Sequence, residues 1–323
     1  MIEMIIDNKN GNVWDVSEIV SSITWKTSRV GRPSSLDFTL IKNALYEEKA
    51  FTYNNGDVVR FRYNSANVFY GYIFNSDGGK DEAVKIKCYD QIRYLLNKET
   101  YVFANVTASD IVKQIAKDFN LKIGRIEDTI YKIPTMIEDG QTLIDIGTKA
   151  LDLTLINSGK NYVLFDDFGA LTLRNVENLL VDFIIGDGSL MTDYQLKSSI
   201  DESTYNRVKL FKDNKESGKR EVFITQDSTN IARWGTLQLY QSVDEKMNEA
   251  QITQLMDQLI KLHNRESKSL KIPAIGDVRV RAGSYVPIMI AEYAINQPFL
   301  VDECTHRFEG VDHTMQVDMK VIS

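Results

Sequence analysis

The chain has 323 residues, 43% hydrophobic and 26% charged, with a formal net charge of −7 and a pI near 5.2. These values suit a soluble globular protein with a sizeable core and exclude disordered, collagenous and fibrous-repeat classes. The acidic balance argues against gripping a nucleic-acid backbone, which needs a basic face, although it permits a local basic patch and would let a polyanion slide past.

The N-terminus, Met1-Ile2-Glu3-Met4-Ile5-Ile6-Asp7, lacks the basic flank and long apolar run of a signal peptide. No stretch approaches the roughly 18 apolar residues of a membrane span. The expected place of synthesis is therefore the cytosol, without export by the usual route. The two cysteines, Cys88 and Cys304, lie in strand-like segments and are expected as buried free thiols.

The first hundred residues read as β. Leu36-Asp37-Phe38-Thr39-Leu40, Val59-Arg60-Phe61-Arg62-Tyr63 and Val84-Lys85-Ile86-Lys87-Cys88 alternate apolar and polar, so each presents one face to a core. Asn54-Asn55-Gly56-Asp57 and Asp77-Gly78-Gly79-Lys80 are turn signals between strands. Short strands with regular turns point to a barrel or sandwich.

Near Tyr101 the character changes. Thr107 is the expected N-cap of a helix with Ile111, Ile115 and Phe119 on one face, ending at Asn120. A second helix is expected from about Gln141 to Leu151. A hairpin follows, with Tyr162–Phe165 and Ala170–Leu173 flanking the turn Asp166-Asp167-Phe168-Gly169. From about residue 181 the chain returns to β. Arg207–Phe211 and Glu221–Ile224 read as a hairpin around the polar loop Lys212–Lys219. One long helix, about 243–266, is expected to start on a capping box of Ser242 and Glu245, with Ile252, Leu255, Met256, Leu259 and Leu262 as its stripe. The last strands are read at Asp277–Ala282, Tyr285–Ile290, Phe299–Val301 and His313–Val321. The resulting division is 1–100 as a first β domain, 101–180 as a small α+β module and 181–323 as a second β domain.

Chemistry-bearing motifs are sparse. Asp167-Phe168-Gly169 copies a kinase triplet, but no glycine-rich loop or His-Arg-Asp loop accompanies it, so it reads as a turn. His263, His306 and His313 have no metal-ligand spacing, although His306 and His313 can meet across a hairpin. Among 45 acidic residues some carboxylate pair is always available, so a hydrolytic pair is not indicated. No catalytic, cofactor-binding or metal-binding residue is assigned, and no enzymatic activity is expected. Arg279 and Arg281 alternate with Val278 and Val280, and are read as two cations on one strand face, solvated or facing an interface or channel.

Several segments together resemble the XkdQ/YqbQ family of PBSX-type prophages and related contractile particles. They are Ser28-Arg29-Val30-Gly31-Arg32-Pro33 leading into Leu36–Leu40, Asn67-Val68-Phe69-Tyr70-Gly71-Tyr72-Ile73-Phe74, and Tyr89-Asp90-Gln91-Ile92-Arg93-Tyr94-Leu95 followed by Asn97–Tyr101. Asp139-Gly140-Gln141-Thr142-Leu143, Tyr162–Gly169 and Arg279-Val280-Arg281-Ala282-Gly283-Ser284-Tyr285-Val286-Pro287 continue the series in order. The resemblance implies a homotrimeric baseplate hub made in a bacterial cytosol, similar to late control D proteins and the N-terminal part of type VI secretion spikes (VgrG). It implies a mixed β-rich α+β fold, with two tube-like β-barrel domains, a small α+β module between them and one long helix in the C-terminal part. Three subunits would present six similar domains and join a six-fold tail tube to a three-fold spike. The implied partners are further copies of the chain, tail tube protein, central spike protein, LysM-type and other baseplate proteins, and tape-measure protein, with no stable nucleic-acid binding and no cofactor. Arg29, Arg32, Arg279 and Arg281 are the candidate interface or lumen residues. The alternatives are a tail-associated cell-wall hydrolase, a receptor-binding module and a single-stranded nucleic-acid binder. No spare length is seen for an attached lytic domain.

Overall fold

The computed structural model describes residues 1–44, 47–201, 203–214 and 218–320. Seven strands open the chain: β1 (Ile2–Asp7), β2 (Val13–Asp15), β3 (Val20–Ser28), β4 (Ser35–Ile41), β5 (Val58–Tyr63), β6 (Ala66–Gly78) and β7 (Ala83–Tyr89). The alternation read in Leu36–Leu40, Val59–Tyr63 and Val84–Cys88 is the alternation of burial seen in β4, β5 and β7. Their inner faces meet in one core that includes Met4, Trp25, Leu36, Phe38, Phe61 and Ile86. Gly56, at φ +91°, sits in the expected turn before β5.

The middle of the chain contains β8 (Lys98–Thr107), α1 (Ala108–Asp118), β9 (Ile123–Ile126), β10 (Lys132–Thr142), α2 (Leu143–Ser158), β11 (Tyr162–Asp166) and β12 (Leu171–Asn175). Thr107 caps α1 as expected and forms a reciprocal capping box with Asp110. The second helix begins two residues later than expected and runs on to Ser158, because Thr142 Oγ1 accepts the Asp145 N–H at 3.2 Å and sets its start there. Both helices bury Ile111, Ile115, Leu143 and Ile146 with Phe103 and Ile133 of the β8–β10 ribbon. The Asp167-Phe168-Gly169 triplet makes the turn between β11 and β12. Phe168 and Gly169 have φ of +47° and +88°, and the Gly169 N–H donates to Asp166 Oδ1 at 2.7 Å.

The rest comprises β13 (Ile185–Gly186), β14 (Gln195–Ser199), β15 (Arg207–Asn214), β16 (Lys219–Gln226), α3 (Ser228–Trp234), β17 (Gln238–Ser242), α4 (Glu249–His263), β18 (Ser267–Ile275), β19 (Tyr285–Ile290), β20 (Ile295–Glu309) and β21 (Asp312–Lys320). The fold is of the expected mixed β-rich α+β type. The hairpin expected at 207–224 is present as β15 and β16, and part of its tip lies outside the described residues. The final strand is present, with Met315, Val317 and Met319 buried; Val321 lies outside the described residues.

Two further details differ from expectation. The capping box of the long helix is formed by Asn248 and Gln251, not Ser242 and Glu245. Ser242 instead pairs with Phe211 in the parallel β15–β17 ladder, so its backbone is already in a strand. Asp277–Ala282 is not a strand. The Val280 N–H donates to the Asp277 carbonyl and the Ser284 N–H to the Arg281 carbonyl, both at 3.0 Å. The Asp277 side chain also accepts the Arg279 N–H at 3.0 Å. Such local bonds satisfy the backbone without a ladder partner. Arg279 and Arg281 therefore do not share a strand face.

The chain forms two compact units. One contains Met1–Leu155, Lys160–Gln195 and Leu270–Ser323; the other contains Ile156–Gly159 and Leu196–Ser269. In the first, a sheet path runs β18-β21-β20-β3-β4-β7-β6-β5-β1-β2. β20 lies antiparallel to β3, from Glu303 opposite Ser28 to Phe308 opposite Ile23. The last strands thus extend the sheet begun by the first. The second unit is a sheet of order β16-β15-β17 with α4 packed on it through Val208, Leu210, Ile252, Met256 and Leu259. Among the described residues, no helix is long and apolar enough to cross a membrane.

Candidate functional site

The four arginines divide into two pairs. Arg29 follows β3, where its Nε donates to Asp302 Oδ1 at 2.6 Å and its backbone N–H donates to the Asp302 carbonyl at 2.9 Å. It clamps the end of β3 onto β20. Arg32 is exposed and lies 3.6 Å from Glu303, an arrangement that contributes little to stability. Arg29→Met is expected to cost about 1–3 kcal/mol, since it removes a charge-assisted hydrogen bond from a half-buried carboxylate. A double-mutant cycle with Asp302→Asn, read by urea denaturation, measures the coupling.

Arg279 and Arg281 line one cavity of about 410 Å³ with Phe165, Leu180, Val181 and Asp182. Arg279 is exposed and paired with two carboxylates, Asp277 at 2.7 Å and Asp182 at 3.0 Å, and it lies over the Phe183 ring. Arg281 is mostly buried, its Cζ 4.3 Å from the Phe165 ring centre and 6.0 Å from that of Trp25. Burial lowers its pKa, and Asp166, Asp167 and Asp90 oppose that shift.

Near Arg281 lie two carboxylates that sequence reasoning did not single out. Asp90 is buried and accepts the N–H groups of Ser34 and Ile92 at 3.1 and 3.0 Å. Asp166 accepts from Gln91 Nε2 at 2.8 Å and from Gly169. Burial pushes the Asp90 carboxyl up to about 8, helped by the charge of Asp166. Asp166 is raised for the same first reason. Their positions were signalled weakly: Asp90 precedes an apolar run, as a cap does, and Asp166 opens a turn. Neither lines the cavities found beside Arg281 or beside Tyr70, so the pair is enclosed rather than presented to a substrate.

His306 and His313 do meet across the β20–β21 hairpin. His306 Nε2 lies 2.8 Å from the Val280 carbonyl, which can only accept, so Nε2 carries the hydrogen. Nδ1 is then an acceptor, and His313 Nε2 donates to it at 2.9 Å. Trp25 stacks on His306 with ring centres 5.0 Å apart, and Phe308 stacks on His313 at 4.1 Å. Burial lowers the two pKa values to about 3 and about 4. Cys88 and Cys304 are buried free thiols, as expected, with pKa values raised by burial. Among the described residues, no three His, Cys, Asp or Glu side chains group as metal ligands.

The sequence matches the YqbQ-like family over residues 23–320. The chain belongs to the YqbQ-like family. It is 30% identical over 304 residues to the phage-like element PBSX protein XkdQ of Bacillus subtilis, covering 93% of this chain and 92% of that protein. It is 29% identical over 308 residues to YqbQ of the same organism, again covering 93% and 92%. Its fold is also that of the 43 kDa tail protein of prophage MuSo2 from Shewanella oneidensis, with a TM-score of 0.72, 12% identity and 98% of each chain covered. The YqbQ-like resemblance read from Ser28–Pro33, Tyr89–Leu95 and Arg279–Pro287 thus holds for the chain as a whole.

Proposed function

We propose that this YqbQ-like protein is a structural, non-enzymatic hub of the baseplate in a contractile phage tail or phage-tail-like particle. The observation that carries the reading is the match to the PBSX protein XkdQ over 93% of the chain. The shared fold with a prophage tail protein agrees with it. The buried, hydrogen-bonded carboxylates Asp90 and Asp166 support a structural role over hydrolysis, which needs carboxylates facing a cleft.

In this reading three copies close a ring by heterologous contacts. Each contributes two tube-like β modules, one begun by residues 1–100 and one by residues 181–323, with residues 101–180 between them along the chain. Six similar modules then match a six-fold tail tube on one side and a three-fold spike on the other. Tape-measure protein passes through the ring, and tube, spike and LysM-type baseplate proteins bind around it. Arg29, Arg32, Arg279 and Arg281 belong to its interfaces or its bore. The protein is made in the bacterial cytosol and ends in the assembled baseplate.

Counting this chain against tube protein in purified tail particles by quantitative mass spectrometry tests the reading. About three copies per particle are expected for one closed ring. Absence from the particle, or a copy number equal to that of the tube protein, refutes the hub.

A further inference from the structure

We propose that the cavity between Phe165, Leu179–Asp182 and the turn at Arg279–Ser284 is a binding site for a carboxylate side chain carried by another protein chain. The cavity measures about 410 Å³, enough for a side chain with part of its backbone. Its wall is apolar at Phe165, Leu180 and Val181, which suits the methylene part of an acidic residue.

The charge that would hold the ligand is Arg281. Its guanidinium carbon lies 4.3 Å from the centre of the Phe165 ring, a contact that does not use up the guanidinium N–H donors. Its Nε is enclosed and has no hydrogen-bond partner among the described residues. None of the ion pairs among the described residues includes Arg281, whereas Arg279 at the same cavity is paired twice. Asp166, Asp167 and Asp90 favour its charge from nearby without an ion pair to it, and Asp166 and Asp90 already accept from Gln91, Gly169, Ser34 and Ile92. A buried cation without a partner is costly, and an incoming carboxylate removes that cost.

The balance of charge favours a monoanion over a phosphate. One guanidinium is unpaired, and Asp182 at the cavity wall repels a dianion. A single guanidinium binds a free carboxylate weakly in water. An acid held in place by an assembly has a far higher effective concentration, which is why the ligand is assigned to a protein chain.

The site is tested first on the purified chain, by following thermal unfolding in sodium acetate against sodium chloride at equal ionic strength. Acetate is expected to raise the midpoint relative to chloride. Leu180, 55% exposed at the rim, allows a second test without disturbing the core. Leu180→Glu supplies the carboxylate in cis and is expected to raise the midpoint by about 2–4 °C over Leu180→Gln, with the acetate response lost. Arg281→Met, if it folds, loses the response as well. Equal midpoints in acetate and chloride overturn the site, as does a Leu180→Glu chain that keeps its acetate response. The source of the ligand is read from a map of the assembled particle. An acidic side chain of a neighbouring chain within ion-pair distance of Arg281 supports the assignment, and a cavity holding only solvent refutes it. Failure of the first arm concerns the cavity alone, and absence of the chain from particles concerns the hub alone.

Discussion

Replacing Phe308 with alanine is expected to cost about 3–5 kcal/mol of stability, the largest effect of any single substitution considered. Phe308 lies on β20, near the end of the chain, and is 1% exposed. Its ring packs edge-on against Phe61 of β5 at 5.1 Å and face-on against His313 at 4.1 Å, with Tyr63 at 5.0 Å. Truncation leaves a cavity in the core shared by the first and last strands, and that core cannot collapse without breaking the β3–β20 register. Urea denaturation, followed by tryptophan fluorescence, measures the loss. A cost below about 1 kcal/mol would mean that β20 does not hold the first core together. Phe308→Leu is expected to lose less, since it keeps most of the buried volume.

Stability is expected to fall on both sides of an optimum near pH 6.5, and two different groups set the two limbs. His306 and His313 are held neutral by burial, with pKa values of about 3 and about 4 against 6.5 unfolded. Between those values the unfolded chain binds protons that the folded chain does not. Stability is therefore full above pH 6.5 and is lost as the pH falls toward the folded values. His306 alone contributes a slope of about 1.4 kcal/mol per pH unit over that range. His313 is half exposed, so solvent screening makes its share smaller. Asp277, the facing carboxylate, moderates both shifts.

The alkaline limb comes from Asp90, whose folded pKa of about 8 lies above its ordinary 3.8. Here the folded chain binds the extra proton, so this contribution is present below pH 3.8 and is lost as the pH rises to about 8. Between pH 4 and 6.5 it opposes the histidines and flattens the acid limb; above pH 6.5 the histidines no longer contribute, and Asp166, also raised by burial, acts in the same direction as Asp90. Urea midpoints measured from about pH 4 to about pH 8 check the shape. Asp90→Asn is expected to reduce the alkaline limb while keeping an acceptor for the cap. His306→Gln is expected to reduce the acid limb. An alkaline limb unchanged in Asp90→Asn would assign it to another group.

The local elements were legible because their signals are local. The alternation in β4, β5, β7 and β21 is a property of neighbouring residues, and burial follows it directly. Thr107 with Asp110 three residues on specifies a helix start, and the Asp-Phe-Gly turn needed only its residues. Local competition explains where this failed. Ser242 and Glu245 have the spacing of a capping box, but ladder bonds to β15 hold Ser242 in a strand and the helix starts at Asn248 instead. Arg279 and Arg281 alternate like strand residues, but the Asp277 side chain folds that segment into turns.

Family membership was also visible in the sequence, because it is carried by the order of several short segments along the whole chain. What depended on tertiary structure is everything that joins residues distant in sequence. The pairing of β20 with β3 places Asp302 on Arg29 and Phe308 on Phe61, separations that no local pattern encodes. The Asp90–Asp166–Arg281 cluster gathers three segments whose residues each read as ordinary caps, turns or surface charge. Their altered protonation arises from burial and from one another's charge, and both are properties of the folded packing rather than of any residue's neighbours in the chain.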